Sequence, residues 1–139
     1  MKQIMKTLLL AVMMTALSTA MFAQDNSQQR MKREQLAEKQ AKHIAHELAF
    51  DEQTTAKFTT SFMNYQREVW ALGARPQTAK ERLDHSQKIL NLRNKYYDEY
   101  AKFLSDQQIQ RVYQLERQQM RRMANHKRGK SRHRIGNNR

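Results

Sequence analysis

The chain has 139 residues, a formal charge of +13, no cysteine, three glycines and one proline. Without cysteine there is no disulfide framework, no lipid-modified cysteine and no thiolate chemistry. So few turn-forming residues exclude an all-β fold of many tight turns, which leaves one helical domain.

Residues 1–23 have the pattern of a secretory signal. Lys2 and Lys6 precede the apolar run Leu8 to Met14, and small residues follow at Ala16, Ser18, Thr19, Ala20 and Ala23. The alternatives are a buried N-terminal helix or a membrane anchor, but the run is well short of the ~20 residues a bilayer span needs. Cleavage after Ala23 would begin the mature chain at Gln24, and cleavage after Ala20 is the other option. Residues 24–30 are polar and are expected to be disordered.

A first helix is predicted from Met31 to Leu48, with Ala37, Ala41, Ile44, Ala45 and Leu48 on one narrow face. A second begins with Asp51 as its N-cap and runs to about Leu72; Phe58, Phe62, Tyr65, Val69 and Leu72 form its core stripe. Met63 and Trp70 share a second line about 100° from that stripe, which implies a further partner, either another subunit or a bound chain. Gly73 and Pro76 end this helix.

Thr78 and Glu81 form a T-x-x-E capping box for a third helix reaching about Leu104. Leu83, Leu90, Tyr97, Ala101 and Leu104 line one edge of it, and Ile89, Leu92, Tyr96, Tyr100 and Phe103 the other. An apolar arc this broad predicts burial on two sides and a homodimer.

In the stretch Phe103 to Met123, Ser105 and Gln108 make a second capping box, with Leu104 and Ile109 at the staple positions. Ile109, Val112, Tyr113, Met120 and Met123 face one way, and Arg111, Gln114, Gln118, Arg121 and Arg122 face the other. Arg93 points into the apolar arc of helix three and Glu116 into the stripe of helix four. Both lie between eleven and twelve residues from the Leu104/Ser105 junction. A chain that folds back there pairs them; the alternative is that each side chain reaches water independently. Beyond Met123 the periodicity is lost, and 124–139 reads as a solvated, disordered basic tail.

Leu104-Ser105-Asp106-Gln107-Gln108 reads L-S-x-x-Q and resembles the L-T-x-x-Q signature of the periplasmic Spy/CpxP-like proteins. A first copy would fall at Ala49 to Gln53, where Gln53 keeps its place while Ala49 and Phe50 replace the usual Leu-Thr. The resemblance covers about residues 34–123 of a helical domain spanning 31–123. It implies an all-α protein, four amphipathic helices in elongated bent hairpins forming an antiparallel homodimer, that holds unfolded envelope proteins without ATP. Under that reading Met63, Arg67, Trp70, Arg111, Arg121 and Arg122 are the client contacts, and Gln53, Leu104, Ser105 and Gln108 the family motif. The other role open to such a protein is a signalling modulator or metal-responsive adaptor docking on a membrane sensor.

Charge is placed unevenly. Residues 24–110 hold 14 Lys/Arg against 12 Asp/Glu, and residues 111–139 hold 10 against 1. Export would remove nucleic acid as a partner and leave acidic unfolded chains or an anionic membrane surface. Nothing in the sequence assembles a catalytic constellation or a phosphate loop, and no cofactor is expected. His43 and His46 are three apart on helix one, but two imidazoles fall short of the four ligands of a structural zinc site, so no metal is assigned.

Overall fold

The computed structural model describes residues 26–136, with side chains through Ser131. The signal-like segment 1–23 lies outside the described residues. Among the described residues there are four helices and no strand, the all-α class the sequence predicts. These are α1 over residues 26–47, α2 over Glu52–Ala71, α3 over Ala79–Ala101 and α4 over Asp106–Gly136.

The chain divides into two compact units, Met1–Ala37 and Glu38–Arg139. In the first, residues 26–37 are helical and mostly exposed. Residues 26–30 were expected to be disordered and are instead helical; Gln and Arg have good helix propensity, and polarity reports exposure rather than disorder. The same correction applies to the basic tail. Residues 124–131 are exposed, as expected of a solvated segment, but α4 continues through them to Gly136. Loss of apolar periodicity there marks loss of packing, not the end of the helix.

Local chemistry sets the helix ends in the second unit. The Asp51 carboxylate accepts from the Thr54 amide at 2.7 Å, capping α2. At the other end of α2, Gly73 adopts φ +90°, a left-handed conformation natural to glycine. The Thr78 hydroxyl accepts from the Glu81 amide at 3.1 Å, and the Glu81 carboxylate accepts from the Thr78 amide at 3.2 Å. Ser105 and Gln108 reproduce that reciprocal box at the start of α4, with distances of 3.2 and 2.9 Å. Leu104 and Ile109, on either side of the cap, are both buried.

The core of this unit is an aromatic chain. Phe58 lies 5.6 Å from Phe50, 5.7 Å from Phe62 and 5.5 Å from Tyr100 between ring centroids, in the tilted and edge-on arrangements that aromatic pairs prefer. Tyr65 meets Tyr96 edge-on at 5.4 Å. Ala41, Ile44 and Ala45 of α1, Met63 of α2 and Ile109, Val112 and Leu115 of α4 are buried with it. Helix α3 packs against α2 and α4, but only one of its two apolar edges is covered. Tyr96 and Tyr100 are buried, whereas on the other edge Leu83 is 72% and Leu90 53% exposed and only Leu104, at the turn, is buried.

The link between α1 and α2 carries a strained residue. The Phe50 amide donates to the Ala45 carbonyl at 3.0 Å and the Ala49 amide to the His46 carbonyl at 3.1 Å, the paired bonds of a Schellman cap. That motif places Ala49 at φ +53°, where an L-residue's Cβ crowds the backbone at a cost of about 1–2 kcal/mol. Ala49→Gly removes that strain, offset in part by the greater freedom glycine gives the unfolded chain. The expected net gain is about 0.5–1 kcal/mol, read as a higher denaturant midpoint with an unchanged m-value. A lower midpoint would contradict the cap assignment.

Candidate binding groove over a buried ion pair

Positions equidistant from the turn between α3 and α4 meet, as the fold-back alternative requires. Both terminal nitrogens of Arg93 donate to Glu116 Oε2 at 3.3 Å. The Glu116 side chain is 9% exposed and that of Arg93 34%. The guanidinium also stands 5.6 Å from the Tyr65 ring centroid and 5.1 Å from that of Tyr113, within range of cation–π attraction.

Desolvation falls harder on the more deeply buried partner. Burial pushes the Glu116 carboxyl above its ordinary value of 4.5, and the Arg93 charge only partly offsets this. Burial also works against the charge on Arg93, but Glu116 and the neighbouring phenols hold its pKa above the usual arginine value. Tyr65 and Tyr113 are raised, mainly by burial. Tyr96 is pushed up to about 12 by burial together with the Glu68 carboxylate. Tyr100 is 1% exposed, and its hydroxyl has no hydrogen-bond partner among the described residues. The space that Tyr100 shares with Tyr65, Arg93, Tyr96, Tyr113 and Glu116 leaves no room for a water.

Above the pair opens a groove of about 310 Å³, within the range of small-ligand and side-chain pockets. Phe62, Tyr65 and Val69 of α2, Ile89 of α3 and Met120 of α4 supply apolar walls; Gln40, Gln66 and Gln119 add amides; Arg93 and Glu116 also line it. Met120 is 63% exposed at this groove, and Met123 is also exposed. The cationic back of α4, with Arg111, Arg121 and Arg122, is exposed and does not line the groove.

Of the residues expected to contact clients, Met63 requires correction. It is 8% exposed and is a core residue of its own chain. Trp70 on the same line is half-buried, and Arg67 is exposed, with one nitrogen donating to Asn64 Oδ1 at 3.3 Å. The apolar groove walls that the sequence reading did not single out are Val69, Ile89 and Met120. All three were assigned to core stripes, and the remaining signal was the unusual breadth of those stripes. Gln53 does not repeat the role of Gln108. The N-cap is Asp51, so Gln53 stands at the second helical position and the box partner position is Thr54. His43 and His46 are exposed on α1, and the described residues contain no group of three or more potential metal ligands.

No family model matches the chain, and neither the curated proteins nor the solved structures contain a match.

Two measurements test the electrostatics. A carboxyl whose folded pKa is raised binds its proton more tightly when folded, so its contribution to stability is greatest below the unfolded value of 4.5 and is lost as pH rises through the folded pKa. The stability of the wild type relative to Glu116→Gln should therefore fall as pH rises above 4.5, and a flat difference would place Glu116 in water. Tyr100→Phe removes an unpaired buried hydroxyl and should stabilise the protein by about 1 kcal/mol in chemical denaturation. Destabilisation by that amount would show that the hydroxyl is bonded.

Proposed function

We propose that this protein is an ATP-independent holding chaperone for unfolded or damaged envelope proteins, with the Spy/CpxP-like resemblance at Leu104 to Gln108 as its family clue. The observation that carries the reading is the open groove walled by Val69, Ile89 and Met120, on a unit whose α4 also presents exposed cations on another face. Methionine suits this use because its flexible, polarisable chain adapts to different apolar groups. The amides of Gln40, Gln66 and Gln119 can hydrogen-bond to the backbone of an extended segment. The exposed arginines of α4 attract acidic chains from a distance.

The uncovered edge of α3 supports a homodimer in the same proposal. Leu83, Leu90 and Tyr97 are spaced by seven and exposed, the repeat by which a helix presents one seam to a partner helix. Placement in the periplasm rests on the signal-like pattern of residues 1–23.

An aggregation assay tests the holding role with an unfolded client and no nucleotide. Equimolar protein should slow aggregation, and added salt should weaken early capture by screening the cations. Met120→Asp places a charge at the groove and should reduce suppression by about threefold or more. Its effect on stability should stay within about 0.5 kcal/mol, because the site is exposed. Unchanged suppression by this variant removes the groove from the proposal. No suppression at any ratio, with capture of one defined envelope protein, favours an adaptor instead.

A further inference from the structure

The groove makes no use of the outer face of α4. Residues 111–139 carry eight arginines and two lysines, and their one acid, Glu116, is buried against Arg93. At 100° per residue Arg117, Arg121 and Arg128 fall within about 40° of one another, and about 125° from the stripe of Ile109, Val112 and Glu116. All three arginines are exposed, and none forms an ion pair with another described residue. Because α4 persists to Gly136, the three stand in a row about 16 Å long on a continuous helix.

We propose that Arg117, Arg121 and Arg128 form a phosphate-binding row by which α4 lies along a membrane surface of anionic phosphodiester headgroups. The guanidinium fork matches phosphate oxygens in pairs, which an ammonium does not. Like charges four apart, as at Arg117 and Arg121, repel along the helix, and phosphates between them relieve that repulsion. Among the described residues no helix is long and apolar enough to cross a membrane, so contact is lateral. A plane reaches the row without obstruction because the row faces away from the buried stripe. A nucleic-acid groove about 12 Å wide must instead surround the helix. The opposite side of α4 is occupied as far as Met123, whose sulfur is 3.9 Å from Gln40 Nε2.

The test is co-sedimentation of the full chain with phosphatidylcholine–phosphatidylglycerol vesicles at low salt, with pure phosphatidylcholine vesicles as the control. Each cation at an anionic surface contributes about a fivefold factor, so Arg121→Gln with Arg128→Gln should weaken binding about thirtyfold. Lys127→Gln with Lys130→Gln removes the same charge from a direction about 130° away and should weaken it by less than about threefold. Substitutions at these exposed positions leave the packed body intact, which circular dichroism verifies. Equal losses in the two double variants would overturn the row by showing unoriented charge attraction. Equal binding to both vesicle types would overturn the headgroup assignment, as would release of the protein from vesicles by duplex DNA at matched phosphate concentration.

Discussion

A carboxylate with 9% of its side chain exposed, on a helix packed against another helix, constrains the rest of the structure. Glu116 has little access to water, and its burial is tolerable only while a cation and favourable dipoles remain beside it. Arg93 is the cation, and the Tyr65 and Tyr113 rings flank its guanidinium. A slip of α4 by one turn would carry Glu116 about 5 Å along its axis and separate the pair. Stripes of leucine, valine and methionine do not by themselves distinguish such registers. The ion pair does, in the way a single buried polar residue fixes the alignment of paired helices.

The second consequence is a small core in the Glu38–Arg139 unit. Alanines at 41 and 45 bring backbones close but bury little area per residue. The large buried groups belong to a short aromatic chain from Phe50 through Phe58 to Tyr100 and Phe103. Toward the far ends of α3 and α4, side chains that belong to the same apolar stripes emerge into solvent, as at Leu83, Leu90, Met120 and Met123. The groove and the open α3 edge therefore have one physical origin: stripes longer than the body that covers them.

How much of this was legible in the sequence follows from the range of each interaction. The caps at Asp51, Thr78 and Ser105 were readable because each involves residues within three positions of one another. The Arg93–Glu116 pair was readable as one of two alternatives because a turn relates positions by simple distance along the chain. Met63 was misassigned because a helical wheel gives direction but not the number of neighbours waiting there. Ala49 gave no signal at all, since the motif that needs a left-handed residue usually announces itself with glycine. Gln53 matches the motif in letters only, because the Asp51 cap lies one residue after the motif's Thr position. In the tail, like charge and lost periodicity were read as disorder, although neither removes the backbone's ability to hydrogen-bond within a helix.

The two surfaces differ in the physics by which each would hold a partner. In the groove the charged lining residues are already paired to each other, so what remains available is apolar area and neutral amides. That attraction is short-ranged and little affected by salt. On the outer face of α4, Arg117, Arg121 and Arg128 form no ion pair with another described residue, and their field extends to about 10 Å at moderate ionic strength before screening removes it. A partner drawn by the outer field and retained by the groove would thus be captured in a salt-sensitive step and held in a salt-resistant one. The separation depends on the placement of Glu116. Were that carboxylate on the exposed side of α4, it would neutralise part of the cationic row and leave Arg93 as an unpaired cation among the rings.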